Sequence, residues 1–452
     1  MGDRTLNATD LRPLEKAVRP QSLAFARRYP GDVGSRQPVH TVYGGAQLFK
    51  SDGAGKLGAI ALRALHEYAP NAQALGAAVG IADHPALATI YARMVEKLGR
   101  EPVEDFRIDF EDGYGNRPDA EEDGHAVTVA ESLTAGMKNG TLSPFIGVRI
   151  KPLNDELRAR SIRTLDIVLT TLIKRAKRLP PNLVITVPKI TILEQVDYAA
   201  GVLERLERKL KLAKGTLRFE VMVETPQIVF GADGTTPLAQ IPERARGRLT
   251  GAHFGTYDYT AGVNITAAHQ RMRHPACDFA KEMMQVAFAG TGVWLSDGST
   301  TVMPVPLHRA APNGPALTSN QVAENRASVH RAWKLHFDDV THSLVGGFYQ
   351  GWDLHPAQLV TRYAALYAFF LDGIDAAGAR LQNFVGKAAQ ATLVGDVFDD
   401  AATGQGLLNF FLRGINSGAI TEEEALRRTG LTAEDLRGRS FTKILKRAGA
   451  RG

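Results

Sequence analysis

The sequence predicts an α/β chain folded as a (β/α)8 TIM barrel, with an N-terminal leader and a C-terminal helical extension. Three observations lead there. Short apolar runs alternate with longer amphipathic ones, the pattern of a parallel sheet covered by helices. There are eight such runs, the number that closes a parallel sheet on itself. Most of them end on charged or polar residues, and a closed barrel of this kind carries its chemistry at those strand ends.

Residues 1–38 are polar and interrupted by Pro13, Pro20, Pro30 and Pro38, which marks a leader that packs on something else. The barrel is expected over 39–371. Its strands fall at 40–49, 106–110, 145–150, 183–187, 219–223, 251–257, 293–296 and 346–354. Helical periods cover 56–68, 120–137, 154–178, 192–212, 277–289, 320–344 and 356–371. Asn154 and Thr191 suit N-caps, and Pro118 and Pro356 suit a first helical turn. The span 304–318, with prolines, a glycine and His308, is expected to be a long loop at the barrel mouth. From 372 to 452 the pattern is purely helical. Thr421 with Glu424 and Thr432 with Asp435 form capping boxes that announce two short helices in an expected helical cap or oligomerisation region.

At 452 residues and 44% hydrophobic content the chain can bury a large core. The single cysteine, Cys277, excludes an intramolecular disulfide framework and a cysteine-built zinc site, and fits a reducing compartment. No apolar run approaches the ~20 residues that span a bilayer, and the N-terminus, with Asp3, Arg4, Asp10 and Arg12, has no apolar signal core. The expectation is a cytoplasmic protein with no membrane contact. The net charge of +6 is concentrated in 158–178 and in an acid-free tail carrying Arg437, Arg439, Lys443, Lys446, Arg447 and Arg451. Solvated helix faces and a tail account for it. A nucleic-acid partner is disfavoured, because no zinc-finger spacing or aromatic RNA-binding motif accompanies the charge. A small acidic substrate suits a basic protein.

Two strand ends stand out. The run Phe219-Glu220-Val221-Met222-Val223 ends on Glu224 before Pro226, and the run 251–257 ends on Asp258. A carboxylate at the mouth of an apolar strand is costly unless it meets a cation or a donor, and two of them can hold one hard divalent ion. The other strands end in Asp109-Phe110-Glu111-Asp112-Gly113, Arg149-Ile150-Lys151, Pro188-Lys189 and Asp353-Leu354-His355-Pro356-Ala357-Gln358. Blander roles exist for each. Glu224 or Asp258 could form a structural ion pair with Arg149. Of Asp109, Glu111 and Asp112, one is expected to hydrogen-bond to metal-bound water or to a basic residue and another to cap the turn at Gly113-Tyr114-Gly115, with Glu111 and Asp112 expected to face the site. Lys189 could form a Schiff base in metal-free aldolase chemistry. His355 precedes a proline at a helix start, where histidines are more often structural. His253, near Asp258, is the better polar contact.

Taken in order, Asp109-x-Glu111-Asp112, Val148-Arg149-Ile150, Pro188-Lys189, Glu224-Thr225-Pro226, Phe254-Gly255-x-x-Asp258 and His355-Pro356-x-Gln358 resemble the citrate lyase beta-subunit-like superfamily. That superfamily includes malyl-CoA lyases and related metal-dependent 2-oxo-acid aldolases. The resemblance covers roughly residues 41–371. It implies Mg²⁺, or Mn²⁺ in its place, on Glu224 and Asp258, and a carbon-carbon lyase working through a metal-stabilised enolate. It further implies that Arg149 grips the anionic oxygens of the substrate. Lys189 becomes a charge partner of the acidic cluster rather than a nucleophile. Gly255 and Thr256 are expected beside the substrate, with Lys189, His253 and His355 behind. A homo-oligomer is also implied.

The chain departs from thioester-using members of that family at its first strand, where Val42-Tyr43-Gly44-Gly45-Ala46-Gln47 stands without their Arg-Ser motif. CoA dependence is therefore disfavoured. Asp396, Asp399 and Asp400 lie where some relatives carry a further acid, but no motif selects among them. The segment Gly53-Ala54-Gly55-Lys56-Leu57 approaches a phosphate loop yet lacks its first glycine and its Ser or Thr. Neither a Gly-x-Ser-x-Gly elbow nor a His-Glu-x-x-His helix is present, which removes serine-hydrolase and zincin readings.

Overall fold

The computed structural model describes residues 5–438, apart from 32–33, 312–313, 387–391, 395–396 and 400, together with Phe441 and Ile444. Eight parallel strands form the barrel: β1 (His40–Gly45), β2 (Asp105–Asp109), β3 (Phe145–Arg149), β4 (Leu183–Val187), β5 (Arg218–Val223), β6 (Leu249–Phe254), β7 (Trp294–Ser296) and β8 (Gly351–Asp353). Their order around the sheet is β7-β6-β5-β4-β3-β2-β1-β8. The seam between β7 and β8 is closed just past β7. There Asp297 N–H donates to the Gln350 carbonyl at 2.8 Å, and Trp352 N–H to the Gly298 carbonyl at 3.0 Å. The predicted (β/α)8 architecture is the one observed.

Alternation along the strands divides core from interior. On β2, Phe106 and Ile108 join the apolar core under the helices. Asp105, Arg107 and Asp109 point into the barrel, where Arg107 reaches Glu220 of β5. The barrel interior is therefore charged and hydrogen-bonded, while the apolar layer lies between sheet and helices.

Several boundaries differ from expectation. The first strand stops at Gly45 and gives way to a 3₁₀ turn, Ala46–Leu48. The sixth stops at Phe254, and a short helix, Thr256–Gly262, follows. The eighth shrinks to Gly351–Asp353, because Gly346 caps the long helix Ser319–Val345 and Gly347 turns the chain at φ +82°. Helices Ala72–Val79 and Leu87–Arg100, between β1 and β2, were not anticipated. In the leader, Ala8–Arg28 is a helix with no buried residue, opened by an Asn7/Asp10 capping box and carrying Pro13 and Pro20 inside it.

Past the barrel the chain is not purely helical: an antiparallel pair, Thr392–Val394 and Val397–Asp399, sits among helices Ile374–Gly386, Ala401–Ser417, Glu422–Thr429 and Ala433–Gly438. Both expected capping boxes are present, Thr421 with Glu424 and Thr432 with Asp435. This region is tied to the barrel by Arg93 with Glu424 and by Asn416 with Gln37. Asp396 and Asp400, and all of the basic tail beyond Gly438 that carries charge, lie outside the described residues. Among the described residues no helix is long and apolar enough to cross a membrane.

Candidate functional site

At the C-terminal ends of β2 and β3, Asp109 and Arg149 are direct neighbours in register, so their inward side chains meet. Arg149 Nε donates to Asp109 Oδ1 at 2.7 Å and Nη2 to Oδ2 at 2.6 Å, a two-pronged pair that fixes the guanidinium plane. Asp109 also accepts from the N–H of Glu111 and of Gly113, so it caps the turn as well. Beneath Arg149 lies the Tyr43 ring, 4.6 Å from the guanidinium carbon, and Met222 Sδ is 3.8 Å from Nη1. Nη1 faces Glu111 at 3.0 Å and Asp112 at 3.5 Å.

Lys189 connects this corner to the next. Its backbone is left-handed, φ +51°, which turns its N–H onto Glu224 Oε1 at 2.7 Å. Its ammonium contacts Glu111 and lies 3.2 Å from Asp112 and 3.8 Å from Asp258. Burial works against that charge, but Glu111, Asp112 and Asp258 outweigh it and raise the lysine pKa. An ammonium held in this way is not the neutral amine that Schiff-base chemistry needs.

Glu224 is 2% exposed. Burial, then the charges of Asp258 and Glu111, push its carboxyl up to about 8. Its other oxygen lies against Gly255: a Cβ there would stand 2.4 Å from Oε2. Asp258 is not at a strand end but in the first turn of helix Thr256–Gly262, half-exposed to the mouth. Its carboxyl is raised by burial, and the charge of Asp112 adds to the shift. Glu111 is pushed up to about 7, first by burial. Five carboxylates, Asp109, Glu111, Asp112, Glu224 and Asp258, thus share this end of the barrel with the cations Arg149 and Lys189. The pocket carries more negative charge than its own cations neutralise, and that surplus suits a hard divalent ion. Among the described residues no three or more His, Cys, Asp or Glu side chains converge as a protein-built metal cage. Mg²⁺ asks for less, one or two carboxylates with water and substrate completing its octahedron.

Arg149, Glu111, Asp112, Lys189, Glu224, Gly255 and Asp258 are therefore brought together. Thr256 is adjacent but buried, its hydroxyl directed to Met272 Sδ at 3.3 Å. His253 lies deeper in the barrel. Trp352 Nε1 donates to its Nδ1 at 3.2 Å, leaving Nε2–H for Glu220 at 2.9 Å, and it touches neither Glu224 nor Asp258. His355 accepts the Ala357 N–H on Nδ1 at 3.2 Å and so serves the start of the helix Gln358–Leu371. Sequence reasoning expected one of the three acids after β2 to meet a basic residue but did not select Asp109, and it missed Tyr43 beneath Arg149. The two-residue inward period of β1 and β2 was the available signal. The buried Tyr43 hydroxyl has no hydrogen-bond partner among the described residues.

A family model described as a domain of unknown function, DUF6986, matches residues 18–444. The chain belongs to the DUF6986 family. That match takes in the barrel, the five carboxylates and most of the C-terminal region. No protein of curated function matches the sequence. Among solved structures, the DUF6986 chain is similar to a citrate lyase from Burkholderia xenovorans LB400, with a TM-score of 0.54 and 20% identity over 76% of this chain and 93% of that one. At that identity the likeness is one of fold. A lead(II) complex of Haloferax volcanii malate synthase gives a TM-score of 0.47 and 12% identity over 92% of this chain and 99% of that one. A magnesium/glyoxylate complex of the same enzyme gives 0.46 and 13% over 92% and 98%.

Proposed function

We propose that this DUF6986 chain is a Mg²⁺-dependent carbon-carbon lyase, an aldolase acting on a small 2-oxo acid or hydroxy acid. One observation carries the reading. A buried Glu224, pushed up to about 8 by burial and by the charges of Asp258 and Glu111 against the opposing charge of Lys189, shares the mouth with Asp258 and with an arginine whose plane Asp109 already fixes. Glu224 and Asp258 would hold the metal, with Mn²⁺ as the alternative, and a metal there supplies the Lewis acidity that stabilises the enolate left by bond cleavage.

The chain's own residues do the rest. Asp109 orients Arg149, whose Nη1, facing Glu111 and Asp112 as the site stands, would turn to a substrate carboxylate or oxyanion. Through its backbone N–H, Lys189 holds Glu224 in place. Through its ammonium it keeps Glu111 and Asp112 close, so that the loop after β2 forms a fixed wall. The order of motifs that resembles the citrate lyase beta-like superfamily, and the citrate-lyase-like fold, support the same chemistry.

The test is release of pyruvate or oxaloacetate from a panel of 4-hydroxy-2-oxo acids and CoA thioesters, run with Mg²⁺, with EDTA, and with Glu224→Ala. The expected result is turnover of a non-thioester substrate that is lost in both of the latter conditions. Activity that survives EDTA and is trapped by borohydride would move the chemistry to Lys189. Silence across the panel would reject the lyase.

A further inference from the structure

At the opposite, N-terminal end of the barrel a cavity of about 710 Å³ runs inward from Trp294 and Phe145 to Arg107, Glu220 and His253. Barrels of this kind normally fill that end with layers of side chains. Here two inward positions are glycine. A Cβ on Gly147 would meet the Val184 carbonyl at 2.3 Å and Arg107 Nη1 at 2.9 Å, so that site is closed by Arg107 itself. A Cβ on Gly251 would find only ordinary contacts, 3.4 Å or more, so the space beside it is open. The volume falls within the range of small-molecule pockets.

The charges inside and at the mouth differ in kind. Deep in the cavity every charge is already spent. Arg107 is bound by Asp105, Glu220 and Thr186, and Glu220 also accepts from His253. Those groups offer a ligand nothing that is unsatisfied, and the walls between them and the mouth include Leu179, Leu183, Val184 and Trp294. At the mouth, Arg36 is neutralised by Glu101 and Glu104. Lys177, Arg178 and Arg218 also line it, and among the described residues none of these three has an acidic partner. An uncharged body fits within, and an anionic head fits at the rim.

We propose that this cavity is a second ligand site, distinct from the acidic site at the other end, that takes an amphiphilic anion: an apolar body inside the barrel and one carboxylate or phosphate head held by Lys177, Arg178 and Arg218. Trp294 lines the cavity and reports on it directly.

The experiment titrates the full-length protein with octanoate, octyl phosphate, octanol and octylammonium, and reads tryptophan fluorescence. Saturable quenching by octanoate or octyl phosphate is expected, with affinity at least about tenfold above that of octanol and octylammonium. Octanoate alone would identify a carboxylate ligand, octyl phosphate alone a phosphate ester, and both a site for either head. The signal should vanish in Trp294→Phe. Binding should fall at least about tenfold in the surface double variant Arg178→Glu/Arg218→Glu, and be lost in Gly251→Leu, which fills the cavity, with circular dichroism unchanged. Absence of saturable quenching by either anion overturns the proposal. So does equal binding of octanol or octylammonium, quenching that persists in Trp294→Phe, or indifference to both the charge-reversed and the cavity-filled variants.

Discussion

Gly255 and Glu224 touch so closely that no side chain fits between them: a Cβ on Gly255 would lie 2.4 Å from one oxygen of the Glu224 carboxylate and 2.5 Å from its Cβ. Glu224 is held from its other side by the Lys189 N–H, so it has nowhere to retreat. Gly255→Ala is therefore expected to displace the carboxylate. Mg²⁺ affinity, followed by calorimetry, should fall on the order of 10- to 100-fold, as when a group that orients a metal ligand is lost. The far-ultraviolet circular dichroism spectrum should not change.

The Asp109–Arg149 pair makes a second expectation. Asp109→Asn keeps the shape but leaves a neutral partner for the guanidinium, and Arg149→Lys removes the fork altogether. Misplacement of the anion-gripping group by about an ångström can cost on the order of 10²-fold in rate. Both variants should lose kcat/KM for the proposed lyase reaction on that scale, Arg149→Lys the more, while Asp109→Asn should also loosen the turn at Gly113. Unchanged kinetics in both would remove Arg149 from the chemistry.

Stability should be most sensitive at Asp353, buried at the C-terminal end of β8. Its carboxylate accepts from His336 Nε2 at 3.0 Å and Arg362 Nη2 at 2.9 Å, and His40 Nδ1 lies 2.9 Å away. Removing one partner of a buried charged cluster costs about 3–5 kcal/mol, because the remaining charge is left uncompensated. Asp353→Ala should move the urea midpoint to match, and a shift under about 1 kcal/mol would contradict the cluster's role.

Acid should weaken the protein through Glu101 among others. Burial raises its pKa, but Arg36 and Lys97 outweigh burial and hold it at about 2, well under its ordinary value. The group is thus more acidic folded than unfolded. Its contribution is complete above the ordinary carboxylate range and is lost as pH falls from there through about 2. The urea midpoint should decline over that window, and Glu101→Gln should flatten part of the decline. An identical profile in the variant would count against the pairing.

Eight strands were legible because each is a short apolar run bounded by turn or capping residues, and all but the fifth are followed by a clear helical period. Their polar ends were legible because Glu224, Arg149 and Lys189 interrupt apolar runs. What was not legible depends on register and layer. Three acids within four residues, Asp109, Glu111 and Asp112, look alike until Asp109 is seen level with Arg149 on the neighbouring strand. His253 sits two positions before Gly255 on the same inward face, and that step lowers it by one layer, from the acidic site into the network around Glu220. Asp258 reads as a strand end because Gly255 and Thr256 do not announce the helix that begins there. The helix Ala8–Arg28 was hidden by its two internal prolines and by the absence of any packed face.

Lys189 speaks to two audiences at once. Its main chain addresses Glu224, and its side chain addresses Glu111, Asp112 and Asp258. Glycine or asparagine would accept the left-handed backbone and keep the first conversation while ending the second. A residue that refused that backbone would end the first whatever charge it carried. The two halves of the acidic pocket therefore share a single hinge pin that works one way: the side-chain half can be retuned here while the backbone half stands, but the backbone half cannot be changed without moving the ammonium as well.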